Sequence, residues 1–248
     1  MVKIGFKFEK YRAEQGSTLG LKRSLYKGLE NISIGGRALG PQDIFKRNIS
    51  DPDGVLARSS VCILGLGGLG SNIGVYLARS GIGRLVLVDF DHVEASNLNR
   101  QAYSLDHIGM KKTQALVEVI RSINPFIDLE VIDIRVARDN IMALVEGNYI
   151  ICEALDDPAT KSMVVTEVLA NSEDKLVVAA SGMAGLDDAN LIRTQRKLSR
   201  LYLCGDEKSD FEFTPGMMAP RVSICAGHQA NIIIRLLMGL EKKKVSSI

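Results

Sequence analysis

Four glycines within CILGLGGLGSN, Cys62 to Asn72, constrain this chain more than any other feature. The apolar run VCILGL has the length of a strand, and it gives way at Gly65, Gly67, Gly68 and Gly70 to GSNIGVYLARSGI. There Ile73, Val75, Tyr76 and Leu77 are placed so that a helix could turn them toward a sheet. A second apolar run, GRLVLVDFD, ends on acidic residues. Strand, glycine turn, helix and strand in that order begin a right-handed βαβ unit. In such a unit the first glycine permits the tight turn, the second lets backbone approach a phosphate, and the third lets the helix pack on the strand, while the helix N-terminus favours an anion. Asp89 follows Gly70 by 19 residues (89 − 70) at the end of the second strand, where a carboxylate can accept hydrogen bonds from ribose hydroxyls. By itself the motif fits a nicotinamide dinucleotide and any enzyme that places ATP on the same turn.

The alternation continues downstream. MKKTQALVEVIRSIN sets Ala115, Leu116, Val119, Ile120 and Ile123 at helical spacing, and LEVIDIRV alternates like a strand. NYIICEALDD is a buried-strand candidate closing on two carboxylates, KSMVVTEVLANS reads as helix, and KLVVAASGMAG as strand. The predicted fold is α/β: a Rossmann-like, mostly parallel sheet with helices on both faces. Residues 1–50, polar and punctuated by glycine, read as an N-terminal extension with short helical pieces, and 51–248 as the nucleotide-binding domain. GDEKSDFEFTPGMM, which begins at Gly205, reads as an exposed acidic loop, and SICAGHQANIIIRLLMGL as a closing helix with Gly239 near its stop.

Composition narrows the function classes. With 31 basic and 29 acidic side chains the net charge of +2 is too even for a protein whose main partner is bulk nucleic acid or an anionic membrane. The EKKK run near the C-terminus reads as a solvated helix end. No terminal stretch approaches the ~20 apolar residues of a membrane span, and the start lacks a signal-peptide core, so a cytoplasmic location is expected. The four cysteines are far apart and form no CxxC pair, which argues against a zinc ribbon or a disulfide framework. Cys62 and Cys152 read as core, Cys225 with His228 as helix packing, and Cys204 as the one cysteine outside an obvious strand or helix.

The residues after Asp89 separate the nucleotide readings. Asn97, Asn99, Arg100 and Gln101 crowd into five positions, followed by Lys111 and Lys112 in GMKK. A dinucleotide needs no such cluster, because its pyrophosphate lies mainly on the helix N-terminus. A triphosphate does: Arg100 can hold phosphate oxygens with a planar fork, and Lys112 adds a point charge as the α-phosphate is attacked. Asp156 and Asp157 end a central strand at the carboxyl edge of the sheet, where ligands of such folds bind. There Asp156 is the candidate ligand for Mg2+ on the phosphates, and Asp157 fits a turn with Pro158 equally well.

Taken together, GLGGLGSN, VDFDHVEASNLNRQ, GMKK and EALDD resemble the superfamily of enzymes that adenylate ubiquitin-like proteins, and most closely its bacterial ThiF and MoeB adenylyltransferases. IFKRN, INPF, VVAASGMAG and MAPRVSICAGHQANIIIRLLMG resemble the short ThiF type of anaerobic bacteria. The resemblance runs from Ile44 to Gly239. It implies Gly65, Gly67, Gly68 and Gly70 under ATP, Asp89 on the ribose, Asn97, Arg100 and Lys112 around the phosphates, and Asp156 on Mg2+. It also implies a homodimer in which an arginine of the partner's N-terminal segment approaches the triphosphate, for which Arg47 is the candidate. The implied reaction is attack by the C-terminal carboxylate of a small Gly-Gly-ended sulfur-carrier protein on ATP, in thiamine biosynthesis, with the acidic loop Asp206 to Pro215 guiding the carrier's tail.

Two departures bear on this. Many relatives hold zinc through two CxxC pairs, which this chain lacks, so no zinc is expected. Some carry a cysteine that receives the carrier or its sulfur, a role for which Cys204 is the candidate, set against an inert strand-end thiol. Three alternatives stand beside the leading reading: a tRNA threonylcarbamoyladenosine dehydratase-like enzyme, an NAD-dependent oxidoreductase, and a non-catalytic scaffold or half of a heterodimer.

Overall fold

The structure, a computed structural model, describes residues 14–18, 21–209 and 216–241. In chain order it begins with β1 (Glu14–Thr18), β2 (Leu21–Tyr26), β3 (Ile32–Ile34), β4 (Arg37–Leu39), α1 (Pro41–Phe45) and α2 (Val55–Arg58). The βα alternation follows as β5 (Ser60–Leu64), α3 (Gly68–Arg79), β6 (Arg84–Asp89), α4 (Lys112–Ile123), β7 (Asp128–Asp133) and α5 (Ile141–Leu144). It continues through β8 (Ile150–Glu153), α6 (Pro158–Asn171), β9 (Leu176–Ala180), β10 (Arg193–Leu198), β11 (Leu201–Gly205) and α7 (Ala219–Leu237). Among the described residues nine strands form one sheet in the order β1-β2-β7-β6-β5-β8-β9-β11-β10, while β3 and β4 pair separately. The central run from β7 to β11 is parallel, as the alternation predicts.

Both faces of the sheet are covered, because its central strands are apolar throughout: Val61, Cys62, Ile63 and Leu64 of β5 are all fully buried. Ile63, Leu87 and Val178 point toward α3, α4 and α7, where they meet Ile73, Leu116 and Ala226. Leu64, Val88 and Val177 point toward α5 and α6, where they meet Leu144 and Val164. Fully burying each aliphatic side chain is worth about 1.5–3 kcal/mol, so this two-sided core dominates the fold's stability. Strand order reverses at β5, whose neighbours are β6 and β8, and the crevice at the carboxyl end of that switch is where open α/β sheets bind ligands.

Two sequence-based expectations need correction. Among the described residues of the first fifty, strand outweighs helix, with β1 and β2 extending the sheet through antiparallel pairing of β2 with β7. The sequence hid this because LKRSLY mixes charge with apolar residues instead of alternating, and the strand is tied down by charged side chains at tertiary distance. Arg23 donates to Glu130 at 2.6 Å, and Arg121 donates to the carbonyls of Tyr26 and Lys27 at 2.7 and 2.9 Å. Secondly, Arg193 to Gly205 forms the β10–β11 hairpin, so Cys204 lies inside a strand. Of the acidic stretch, residues 210–215 lie outside the described residues, as do the first thirteen residues and the lysines of the EKKK run.

Candidate nucleotide site at the sheet switch

The four glycines divide by what a side chain would meet. Gly65 has φ +89°, and a Cβ there would stand 2.7 Å from the Ala154 carbonyl oxygen, so this glycine lets β5 turn against the end of β8. A Cβ on Gly70 would run into the Gly65 carbonyl oxygen, so Gly70 lets α3 start close to its strand. A Cβ on Gly68 would face Val222 of α7 at 3.1 Å and the Arg100 stem at 3.5 Å. Gly67 alone faces open space, with its nearest neighbour the Gln101 amide nitrogen at 3.9 Å. Gly67 is the N-cap of α3 and no side chain caps the helix, so the first backbone N–H groups face that space and suit an anion.

Asp89, at the end of β6, does more than the sequence predicts. Its Oδ2 accepts the Leu66 N–H at 2.6 Å, and its Oδ1 accepts those of Phe90 and Asp91 at 2.7 and 2.8 Å. The carboxylate therefore fastens the glycine turn to the next strand, and about one of its roughly four acceptor positions remains for a ligand. Tyr103 adds a second tie, donating its hydroxyl to the Leu66 carbonyl at 2.8 Å.

Asn97 and Arg100 lie on a short turn that runs back over α3. Asn97 accepts the Glu94 N–H at 3.1 Å and is buried, while Asn72 of α3 donates to the carbonyls of Arg100 and Gly68 at 2.9 and 2.6 Å. The Arg100 stem is thereby laid beside Gly68, and its guanidinium donates to Asn99 Oδ1 at 2.8 Å. Asn99 in turn donates to the Met217 carbonyl at 3.3 Å, which links this turn to the segment preceding α7.

The two lysines that begin α4 would be misplaced at a helix N-terminus, and each has a carboxylate partner. Lys111 pairs with Asp133, and Lys112 donates to Asp91 Oδ2 at 2.9 Å. Lys112 also donates its backbone N–H to the Asp91 carbonyl at 2.9 Å, so its charge is held next to the turn that carries Asp89.

At the end of β8 the two aspartates take different positions. Asp157 is the N-cap of α6 and accepts the Thr160 N–H at 2.7 Å and the Thr160 hydroxyl at 2.5 Å, bonds that hold its carboxyl below the usual range. Asp156 is exposed and makes no hydrogen bond or ion pair to any described residue. Among the described residues no group of three histidine, cysteine or acidic side chains could hold a metal by itself. A lone exposed carboxylate near an open glycine turn would suit Mg2+ if phosphates bound there, since that ion is held by one or two carboxylates together with phosphate oxygens.

Sequence reasoning missed three side chains beneath this rim. Glu153 is fully buried, and burial pushes its carboxyl up while Lys161 acts against that. The Lys161 ammonium stands 2.9 Å from Glu153 Oε2, and Gln229 of α7 donates to the Glu153 carbonyl at 3.0 Å. Glu153 and Lys161 sit eight residues apart across a turn (161 − 153), a separation with no meaning until the turn is folded.

The remaining candidates lie elsewhere. Cys204 is fully buried, its sulfur 3.5 Å from the Thr194 hydroxyl, and burial pushes its thiol up to about 11. That corrects the reading of Cys204 as a cysteine outside the strands, and a protonated thiol without access is a poor nucleophile. Cys62, Cys152 and Cys225 are buried as the core and packing readings expect. Arg47 is exposed just beyond α1, where Asn48 donates to the Arg79 carbonyl at 3.2 Å, so it sits at the far end of α3 from Gly67. Asp206, expected on an exposed loop, turns inward to Arg221. No helix among the described residues is long and apolar enough to cross a membrane.

Residues 45–247 match the ThiF family. The chain is 30% identical over 191 residues to the sulfur carrier protein ThiS adenylyltransferase of Escherichia coli K12, covering 75% of each chain. It is 30% identical over 197 residues to the molybdopterin-synthase adenylyltransferase of the same organism, covering 77% of this chain and 78% of that one. The E. coli tRNA threonylcarbamoyladenosine dehydratase is 34% identical over 133 residues, and that match spans 53% of this chain and about half, 48%, of the dehydratase. Among solved structures, that dehydratase in complex with AMP shares the fold with a TM-score of 0.70 over 80% of this chain and 93% of that one, at 22% identity.

Proposed function

The chain belongs to the ThiF family, and from that premise we propose that it is an ATP-dependent adenylyltransferase, joining a substrate carboxylate to the α-phosphate of ATP and releasing pyrophosphate. The observation that carries this reading is the meeting of Arg100, the Asp91–Lys112 pair and the unengaged Asp156 around the open glycine turn. A dinucleotide site leaves all three without a role. In the adenylyltransferase the N–H groups of α3 and the Arg100 fork receive phosphate oxygens, Asn97 and Lys112 flank them, and the free acceptor position of Asp89 takes a ribose hydroxyl. Asp156 would hold Mg2+, which when bound offsets phosphate charge. The attacking group is the substrate's own carboxylate, so the chain supplies positioning and charge stabilisation and no side-chain nucleophile.

For the substrate we infer the C-terminal Gly-Gly carboxylate of a small ubiquitin-like sulfur-carrier protein of the ThiS kind, and so a place in thiamine biosynthesis. The E. coli relatives named for ThiS and for molybdopterin synthase support this over most of their length. A homodimer accompanies the reading, since an exposed Arg47 at the far end of α3 would reach a triphosphate only across a dimer interface. The second reading, a dehydratase that adenylates a carboxylate on tRNA, is favoured by the 34% identity to the E. coli enzyme over 133 residues.

Pyrophosphate exchange into ATP separates the readings. Exchange that requires a Gly-Gly-ended carrier supports the proposal, and exchange with threonylcarbamoyl-tRNA alone supports the second reading. Absence of exchange with either, together with micromolar NAD binding, would sink both.

A further inference from the structure

Asp156 makes no hydrogen bond of its own, so its place is set entirely by the turn that carries it, residues 154–157 between β8 and α6. The two ends of that turn are held by ordinary means. Ala154 donates its N–H to the Leu64 carbonyl at 2.8 Å, and Asp157 caps α6. The middle is held by charge. Glu153 Oε1 accepts the Leu155 N–H at 2.7 Å, and Lys161 donates to the Leu155 carbonyl at 3.0 Å, so both faces of the peptide group region preceding Asp156 are gripped. The same ammonium lies 3.0 Å from Glu153 Oε1 and 2.9 Å from Oε2. Two of the three ammonium N–H donors are engaged, by Glu153 Oε1 and the Leu155 carbonyl, while Oε2 meets the ammonium as a charge contact without a hydrogen bond. Lys161 is thereby tied to the buried carboxylate and to the turn that precedes Asp156.

A buried ion pair is a poor way to gain stability, because desolvating both charges offsets most of their attraction. Glu153 has no exposed surface and the Lys161 side chain is 21% exposed, so this pair bears that cost. What such a pair does well is fix geometry. Mg2+ demands near-ideal octahedral coordination at about 2.0–2.1 Å, so a carboxylate displaced by a fraction of that distance holds it badly.

We propose that Lys161 is a positioning residue which, through buried Glu153, fixes the turn presenting Asp156 and thereby sets how strongly Mg2+ tightens ATP binding. The proposal rests on the reading of Asp156 as the Mg2+ ligand. It assigns Lys161 no contact with the nucleotide.

Calorimetric titration of ATP into the full chain, with Mg2+ and again with EDTA, gives the ratio of the two dissociation constants. Removing Lys161 alone strands a buried carboxylate and endangers the fold, so the informative variant is Lys161→Met combined with Glu153→Gln, which removes both charges. In that variant the ratio is expected to fall at least tenfold from the wild-type value, while AMP binding in EDTA stays within twofold. Lys161→Arg, whose fork can hold both carboxylate oxygens, is expected to keep most of the ratio. A double variant with the wild-type ratio overturns the positioning role. Asp156→Asn tells the two ideas apart: if it collapses the ratio and the double variant does not, only the positioning role falls, whereas a ratio that survives Asp156→Asn removes the metal reading and the proposal together.

Discussion

Asp206, just past the end of β11, and Arg221, in the first turn of α7, form an ion pair in which only 4% of each side chain is exposed. Arg221 also donates to the carbonyls of Asp187 and Asp188 at 2.5 and 3.2 Å, and Asp206 accepts the N–H groups of Lys208 and Ser209, both at 2.8 Å. One guanidinium thus gathers the loop after β9, the turn after β11 and the start of α7, the helix whose Val222 abuts Gly68.

The pair gives the protein a predictable response to acid. Burial raises the Asp206 carboxyl, but the hydrogen bonds from Ser209 and Lys208 and the Arg221 charge outweigh it, so its value falls below the ordinary carboxylate. A depressed folded value means the stabilisation is present above the unfolded carboxylate pKa of about 3.9 and is lost as pH falls through the folded value. Chemical denaturation is expected to show Asp206→Asn less stable than the wild type at pH 7, with the gap narrowing below about pH 4. Arg221→Met, which strands the carboxylate, is expected to cost about 3–5 kcal/mol at pH 7.

The glycines offer a separation of folding from binding. Gly70→Ala drives a methyl into the Gly65 carbonyl, so it is expected to destabilise the chain and abolish nucleotide binding together. Gly67→Ala meets only the Gln101 amide at 3.9 Å, so unfolding is expected to shift by less than about 1 kcal/mol while ATP binding weakens at least tenfold. Equal losses of stability in the two variants would contradict this division.

The paired aspartates make a similar contrast. Asp156 supports nothing in the fold, so Asp156→Asn is expected to leave the thermal midpoint unchanged and to lower pyrophosphate exchange by at least a hundredfold. Asp157→Ala removes the α6 cap and is expected to lower the midpoint while leaving most of the exchange activity. Thermal melts and exchange rates measured side by side decide both.

The thiols are expected to be silent. All four cysteines are buried, with Cys62 pushed up to about 12 and Cys204 to about 11, so at pH 8 a thiol-specific reagent is expected to react with none of them before unfolding. Cys204→Ala is expected to keep exchange near the wild-type rate; rapid labelling of Cys204 in the native protein would restore it as a candidate sulfur acceptor.

The central βα units were legible in the sequence because each writes its own local pattern: period two or a solid apolar run for β5 to β9, and period 3.6 for α4. The N-terminal strands and the β10–β11 hairpin were not, because strands at a sheet's border mix charged and apolar residues and are defined by the neighbour they pair with. β2 exists as a strand because β7 offers it an edge.

Within the candidate site, the order of residues along the chain already says which chemical groups are available: four glycines, Asp89, Arg100, Lys112 and Asp156, each at or beyond the end of a strand that must finish at one side of the sheet. Tertiary structure alone decided how each is used. It showed that Gly65 and Gly70 serve packing while Gly67 faces open space, that Asp89 fastens the turn, and that Asp157 caps a helix while Asp156 stays free. It also brought Lys161 to Glu153 and Arg221 to Asp206, pairs that no periodicity announces. The reason is physical: strand and helix patterns arise from short-range repeats along one chain, whereas the partners of a buried charge are chosen by whatever the folded sheet carries to within 3 Å of it.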